Sequence, residues 1–406
     1  MKKIYLDYAG TTPIDPRVLR CMVAYMKRSY GNPSSFHSMG QEAATALEES
    51  RETIAHIINA EPNEIVFTSS ATESINLALK GVAFANRKKA GESRSGQRKG
   101  SMGKGKSHIV ISSIEHVAVM ETAKWLETQG FDVTRLPVDK YGLIKPEDVD
   151  AAIRKDTLLV SVMHANNEIG TIEPIKEIGR ICSEHGVLFH TDAAQSFGKI
   201  PIDVKKMNID LLSANAHKLY GPKGIGILYV RTGVDLEPLI HGGGQEFGLR
   251  SSTENVAAAV GFAKAAELAK AEMGKEGRRQ SKLIEGLIKS VLGKIENSYL
   301  NGHPTKRLPN IANFRFDYIE GESLVVSLDL EGIATSTGSA CSSKKLEPSH
   351  VLLAIGLKPY EAHGSLRISM GRFTKKKDIN YTVKVLEKTV LRLRKLSPFK
   401  KGWGFK

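Results

Sequence analysis

The sequence predicts an α/β protein with a mostly parallel sheet in a large domain and a smaller α/β domain after it. Three observations carry this. From about residue 62 to 230, short apolar runs alternate with helical patterns. A long helical pattern, ENVAAAVGFAKAAELAKAEMGKEG, then leads the chain out of that region. The chain has 406 residues, 41% of them hydrophobic, which is too long for one simple core and apolar enough for a large and a small one.

Taken in order, EIVFTSS reads as a strand and ATESINLALKGVAFAN as the helix after it. HIVISS is a strand, followed by the helical VAVMETAKWLETQG. FDVTRLPV, TLLVSVMHA, VLFHTDAA, LLSANA and GIGILYV read as strands, and PEDVDAAIRK and PIKEIGRICSEHG as helices. Strands that alternate with helices make βαβ units and a parallel sheet. Ligands of such sheets sit beyond the carboxyl ends of the strands. His116, Asn167, Asp192 and Lys218 all fall near the end of an apolar run. To about residue 396, strands such as NIANFRF and LRISM mix with helices, and no internal repeat is found.

The net charge of +14 is concentrated. Arg87 to Lys106 holds eight basic residues and one acid, Glu92, and Lys388 to Lys406 holds seven basic residues and no acid. The rest of the chain is close to neutral, so the basicity is an addition to the core. Residues 91–107 are rich in Gly, Ser, Lys and Arg and predict a flexible surface loop. Both segments suit weak electrostatic contact with RNA or an acidic protein, or simply a solvated surface. Three cysteines are too few for a disulfide framework and fit a reducing compartment. No apolar run is long enough to cross a membrane, and MKKIYLDYAG lacks a secretory apolar core, so the expected location is cytoplasmic.

Lys218, in NAHKLYGPKG, lies between a strand and a glycine-rich stretch, where a positioned, partly desolvated amine can condense with a carbonyl. Most lysines are solvated surface charges, so its context decides. Asp192 ends an apolar strand, where a carboxylate needs a partner. A structural cation or helix cap would serve; so would the protonated pyridine nitrogen of pyridoxal phosphate. TSSATES, residues 68–74, is a hydroxyl-rich strand end opening a helix, either an ordinary cap or a phosphate site. His116 stands at another such turn, as a core histidine or as a proton carrier stacked on a ring. Cys341 sits among Gly, Ser and Ala, close to Lys344 and Lys345, which favour a thiolate. Cys21 and Cys182 sit in helical apolar patterns and read as packing residues. Arg367, in a strand-like alternation, needs an anion: a structural carboxylate or that of an amino-acid substrate.

Together these segments resemble the class V branch of fold-type I pyridoxal phosphate enzymes, and specifically the cysteine desulfurases of iron–sulfur assembly. The resemblance runs through YLDYAGTTP, GNPSSFHSMG, FTSSATESINLALKG, SSIEHVAV, HANNEIGTIEPI, HTDAAQSFGKIPID, AHKLYGPKGIGILYV, GGGQEFGLRSSTEN, GSACSS, LEPSHVLLAIG and LRISMGRFT. It implies that Lys218 holds the cofactor covalently, that Asp192 pairs with the ring nitrogen, and that Gln195 hydrogen-bonds the ring oxygen. His116 would stack on the ring and move protons. Ala71, Thr72 and His217 would hold the phosphate, and Thr253 would reach the phosphate of the neighbouring subunit of a homodimer. Asn167 and Arg367 would bind the substrate carboxylate side. Cys341 would take the sulfur as a persulfide, leaving alanine. No metal is called for.

The implied domains are a large one over 16–260, with the basic insert 87–107, and a small one over 1–15 and 261–396 that carries the cysteine loop, with a basic tail over 397–406. The chain departs from the family at Asn215, where a phosphate-contacting serine is usual, at Phe247, where an arginine is common, and at Ser252, where a glycine is common. The sulfur acceptor would be an iron–sulfur scaffold or a tRNA-thiolation protein. Alternatives are a related lyase, such as one acting on selenocysteine, or a catalytically silent basic scaffold, which the presence of Lys218 and Cys341 disfavours.

Overall fold

The computed structural model describes residues 3–92, 106–338 and 347–397. In chain order the strands are β1 (Ile4–Tyr5), β2 (Ile65–Thr68), β3 (His108–Ser112), β4 (Asp132–Leu136), β5 (Thr157–Ser161), β6 (Leu188–Asp192), β7 (Leu211–Asn215), β8 (Gly226–Val230), β9 (Ser298–Asn301), β10 (Ile311–Phe316), β11 (Ile333–Ala334) and β12 (Ser365–Ser369). The helices are α1 (Pro16–Lys27), α2 (Ser38–Ile58), α3 (Ala71–Glu92), α4 (Val117–Thr128), α5 (Pro146–Ala152), α6 (Ile175–Glu184), α7 (Val256–Lys294), α8 (Gly321–Leu330), α9 (His350–Ala354), α10 (Pro359–His363) and α11 (Lys376–Leu396).

The large sheet has seven strands in the order β2-β8-β7-β6-β5-β3-β4. All pairs are parallel except the two made by β8, which runs against β2 and β7. Helices cover both faces, so β3, β5 and β7 are buried along their whole length and carry continuous apolar runs instead of alternation. Two buried histidines of the sheet are satisfied by neighbouring strands. His108 bonds Thr157 and Thr134 at 2.8 Å each, and His190 bonds Ser161 at 2.8 Å and Ser213 at 3.0 Å.

Helix starts follow local chemistry. Asp15 caps α1 by accepting from the Arg17 amide at 2.9 Å, with Pro16 in the first turn. Asn255 caps α7 in the same way through the Ala258 amide at 3.1 Å. Of the apolar clusters that result among the described residues, two frame the site. One face of the large sheet packs Val110, Val160, Phe189 and Leu212 against α6 and the start of α7, with Ala258, Ala259, Phe262 and Ala266. The other core joins Phe314, Phe316, Leu366 and Ile368 to Ile4 and Leu6 from the amino terminus and to Ile284, Leu287 and Val291 from the far end of α7. Its sheet is antiparallel, β12-β10-β9, and β1 pairs in parallel with β11 beside it.

The helical pattern expected to close near Gly277 continues to Lys294. Gly274, Gly277 and Gly286 lower helix propensity. The apolar spacing of Ile284, Leu287 and Val291 nonetheless buries one face in the second core and carries the helix on. No helix among the described residues is long and apolar enough to cross a membrane.

Candidate active site

The carboxyl ends of β2, β3, β5, β6 and β7 share one edge of the large sheet, and the candidate residues gather there. Asp192, the last residue of β6, is 5% exposed. Its Oδ1 accepts from the Ala194 amide at 2.8 Å. Burial pushes its pKa up, while the nearby His116 and Lys218 draw it down. His116 is the N-cap of α4, and its Nδ1 accepts from the Ala118 amide at 3.2 Å. In the neutral ring that bond leaves the proton on Nε2. Burial lowers the pKa of His116; the Asp192 carboxylate opposes this, and Lys218 and His350 reinforce it.

Lys218 lies in the turn after β7. Its Nζ donates to the carbonyl oxygens of Ala9 at 2.5 Å and Gly10 at 2.6 Å. The amino-terminal YLDYAG segment therefore forms one wall of the site. Gln195 donates from Nε2 to the same Ala9 oxygen at 2.9 Å. His217 bonds Thr11 Oγ1 through Nδ1 at 3.1 Å. Its pKa is pushed down to about 4, mostly by burial and then by Lys218, Lys223 and Lys199. Tyr220, two residues past Lys218, has a φ of 68°, a conformation costly for a bulky residue. Arg372 holds it there: the Arg372 guanidinium lies 4.5 Å from the Tyr220 ring centroid, and the Tyr220 hydroxyl accepts from the Arg372 amide at 2.6 Å.

Arg367, in the middle of β12, is 3% exposed. It donates from Nη1 to the Asn167 carbonyl at 3.0 Å and from Nη2 to Asp7 Oδ1 at 2.8 Å. Its Nε is buried without a hydrogen-bond partner. Glu168, next to Asn167, is buried, and burial raises its pKa. Its Oε2 accepts from Ser349 Oγ at 2.6 Å, and Gly338 lies against the same carboxylate. Gly338 and Ser349 flank the segment that contains Cys341, which lies outside the described residues. Both stems of that segment therefore meet beside Asn167. The other two cysteines are packing residues: Cys21 is half-buried, and burial pushes the Cys182 thiol up to about 12.

Ala71 and Thr72 open α3 directly after β2. At Gly226, the first residue of β8, a Cβ would lie 2.6 Å from the Ser70 carbonyl carbon and 2.9 Å from the Ala71 nitrogen. Only glycine lets the chain come this close to the start of that helix. Asn215 pairs with Gly226 in the sheet, and its Oδ1 is buried without a partner. Thr253 is exposed and lines a separate cleft with Thr68, Ser69 and Gly224. Among the described residues, no hydrogen bond joins it to the other candidates.

Its loop is braced twice. Arg250 pairs with Glu73 of α3 at 2.9 Å. Arg51 of α2 pairs with Glu246 at 2.7 Å and lies over the Phe67 and Phe247 rings, with both partners of the pair buried. Glu246, Phe247 and Ser252 have φ values of 48°, 59° and 138°, so this loop holds strained conformations in non-glycine residues.

These residues fit pyridoxal phosphate. A helix start closed in by Gly226 offers amide donors to a phosphate. A buried carboxylate awaits a ring cation, and a lysine stands within its field. The unpartnered Arg367 Nε suits a carboxylate. Sequence reasoning assigned no role to Asp7, Ala9, Gly10, Glu168 or Lys199, although they stand in YLDYAGTTP, HANNEIGTIEPI and HTDAAQSFGKIPID.

Comparison with known proteins agrees. The family model described as Aminotransferase class-V matches residues 4–382. The chain is 51% identical over 402 residues to a protein named cysteine desulfurase IscS from Dictyoglomus turgidum, covering 99% of this chain and 98% of that one. It is 53% identical over 394 residues to cysteine desulfurase IscS 1 of Archaeoglobus fulgidus, covering 97% and 98%. Among solved structures, a NifS-like protein superposes with a TM-score of 0.87 at 39% identity, over 97% of this chain and 100% of that one. A structure described as "SspA in complex with cysteine" gives 0.78 at 40% identity, over 92% and 100%. The chain belongs to the aminotransferase class-V family, a family of pyridoxal phosphate enzymes.

Proposed function

We infer that the protein is a cysteine desulfurase, which takes the sulfur of L-cysteine onto its own cysteine and releases L-alanine. The observation that carries this reading is the meeting of Asp192, His116 and Lys218 at one sheet edge, with Arg367 buried against Asn167 beside them. Relatives named cysteine desulfurase, aligned over nearly the whole chain, support the same reaction.

When bound, pyridoxal phosphate supplies an electron sink for bonds broken at the substrate Cα and Cβ. Asp192 is the counter-charge for the ring nitrogen. Ala71, Thr72, Asn215 and His217 hold the phosphate; a neutral His217 does so through hydrogen bonds. Gln195 bonds the ring oxygen. Arg367 and Asn167 fix the substrate carboxylate, and the Arg367 Nε gains the partner it lacks. Lys218 Nζ would tether the cofactor and move the proton at the substrate Cα, and His116 Nε2–H would serve as a proton donor. Cys341 Sγ, as thiolate, attacks the substrate sulfur. The Cβ–S bond breaks, an S–S bond forms on Cys341, and protonation of Cβ gives alanine. Cys341 is three residues past Gly338 in the sequence.

The persulfide then passes to an iron–sulfur scaffold or a tRNA-thiolation protein. We place the enzyme in the cytoplasm as a homodimer in which Thr253 reaches the neighbouring subunit's phosphate, and we read the two cores as two domains joined by α7. The test is to incubate cofactor-loaded protein with L-cysteine and measure alanine, sulfide and persulfide on Cys341 together. Lys218→Ala should lose the covalent absorption band and turnover; a variant that keeps both refutes the assignment of Lys218.

A further inference from the structure

A second lysine enters the site in the turn after β6. Lys199 Nζ donates to Gln195 Oε1 at 3.1 Å. Gln195 Nε2 donates in turn to the Ala9 carbonyl at 2.9 Å, and that oxygen also accepts from Lys218 Nζ at 2.5 Å. Lys199, Gln195, Ala9 and Lys218 thus form one hydrogen-bonded chain, and the two lysines line a common cleft at the seam between the two cores. The charges that reach Lys199 are those of Lys218 and Arg367, both positive. Among the described residues, no carboxylate pairs with it. A half-buried ammonium with like-charged neighbours and no paired carboxylate costs stability, and an apolar side chain of similar length would fill the space without that cost. Burial, then these two cations, brings its pKa down to about 7.

The hydrogen-bond chemistry gives Lys199 a task. As an ammonium Lys199 can only donate, so the oxygen end of the Gln195 amide faces it. The Ala9 carbonyl only accepts, so the nitrogen end must face the other way. A flip would set the amide N–H against the Lys199 ammonium, donor against donor, and the amide oxygen against the Ala9 carbonyl, acceptor against acceptor. The Gln195 Nε2 has a second hydrogen, which remains available on the side of the site. We propose that Lys199 is a positioning residue that locks the Gln195 amide so that its N–H is presented to the ring oxygen of the cofactor. This rests on the reading of Gln195 as the partner of that oxygen. Lys199 acts only through Gln195 and touches neither substrate nor cofactor.

The test is a double-mutant cycle on the cofactor-loaded protein without substrate. Lys199→Met, Gln195→Ala and the pair are compared in the visible absorption maximum of the bound cofactor and in the Kd for pyridoxal phosphate on reconstitution. Lys199→Met should shift the band and weaken binding by about tenfold, a little under the full value of one charge-assisted hydrogen bond. Gln195→Ala should do at least as much, and the pair should match Gln195→Ala alone, because the lysine has nothing left to orient. If Lys199→Met fails to fold, Lys199→Gln replaces it, since its amide can also accept and frees Gln195 to flip. An unchanged band and Kd in the lysine variant overturn the proposal. So do effects of the two single variants that sum in the pair, which would mean they act independently. A silent Gln195→Ala also overturns it and places the fault in the Gln195 reading; the covalent band lost in Lys218→Ala reports on the cofactor site separately.

Discussion

Replacing Arg367 by alanine removes a group with distinct partners on each nitrogen. Nη2 meets Asp7 at 2.8 Å, Nη1 meets the Asn167 carbonyl at 3.0 Å, and Nε has no partner. The first two bonds are made within the protein, and the third nitrogen is the one we assign to the substrate carboxylate. The structural cost is moderate. The Arg367 side chain is 4% exposed, but that of Asp7 is 25% exposed, so the stranded carboxylate can recruit water, and the loss should be about 1–3 kcal/mol, below that of a fully buried pair. The cost to substrate is larger. Losing a charged contact to a carboxylate in a buried site is about 2–5 kcal/mol, which is roughly 30- to 5,000-fold in affinity. Alanine production against cysteine concentration gives the apparent affinity, and absorbance on reconstitution gives cofactor binding. Arg367→Ala should weaken cysteine binding by at least the lower figure and leave the cofactor Kd within about threefold of wild type. An unchanged apparent affinity for cysteine would show that the carboxylate binds elsewhere.

Cys341→Ser should keep the cofactor's absorption and its response to cysteine but form no persulfide, because a hydroxyl is a poor nucleophile towards sulfur; normal alanine output would move the nucleophile elsewhere. Gly226→Ala should destabilise the protein by about 1–3 kcal/mol and weaken cofactor binding further, since the added carbon meets backbone atoms at Ser70, Ala214 and Ala71; a melting curve and a Kd like those of wild type would show that the helix start yields freely. Glu115 offers a pH test. It is fully buried with Oε2 unpartnered, and burial pushes its pKa up to about 8 from 4.5. The native state therefore keeps a proton that the unfolded chain releases, and stability is lost as pH rises from the lower value through the higher. Glu115→Gln escapes that loss, so its stability relative to wild type should climb between pH 5 and 8, by an amount on the order of a few kcal/mol, and its relative Tm should rise with it. A Tm difference independent of pH would show that Glu115 ionises normally.

The large sheet was legible because its strands are buried on both faces and therefore read as unbroken apolar runs between helices. The residues at its carboxyl edge were legible for a related reason. Asp192 and His116 are polar groups at the ends of such runs, where burial is expensive unless a partner is present. Partnerships made across long sequence distance left no such mark. Asp7 meets Arg367 through the pairing of β1 with β11 and the bridge from Asp7 to Ser369, and no local pattern announces it. Ala9 and Gly10 act through carbonyl oxygens, which composition cannot distinguish. Lys199 read as one more lysine because the cleft it lines is completed by α7 and amino-terminal residues far away in the sequence. The far half of α7 was hidden by its glycines, since propensity argued for an end where tertiary packing overrules it. The sequence departures at Phe247 and Ser252 fall in the loop braced by Arg51 and Arg250, where backbone strain is concentrated.

The single helix shared by both cores has a mechanical consequence. At 39 residues, α7 is about 58 Å long, and each body packs on one half of it, with residues 7–15 as a second, non-helical tie between them. Two bodies on one rod cannot swing apart as they could about a loop. They can only twist around its axis or bend it, and bending strips backbone hydrogen bonds. Wide opening of one body from the other would require that rod to bend. If the rod gives anywhere, it gives at Gly274 and Gly277, between the half that packs on the large sheet and the half that packs on the small one, where side-chain support is thinnest.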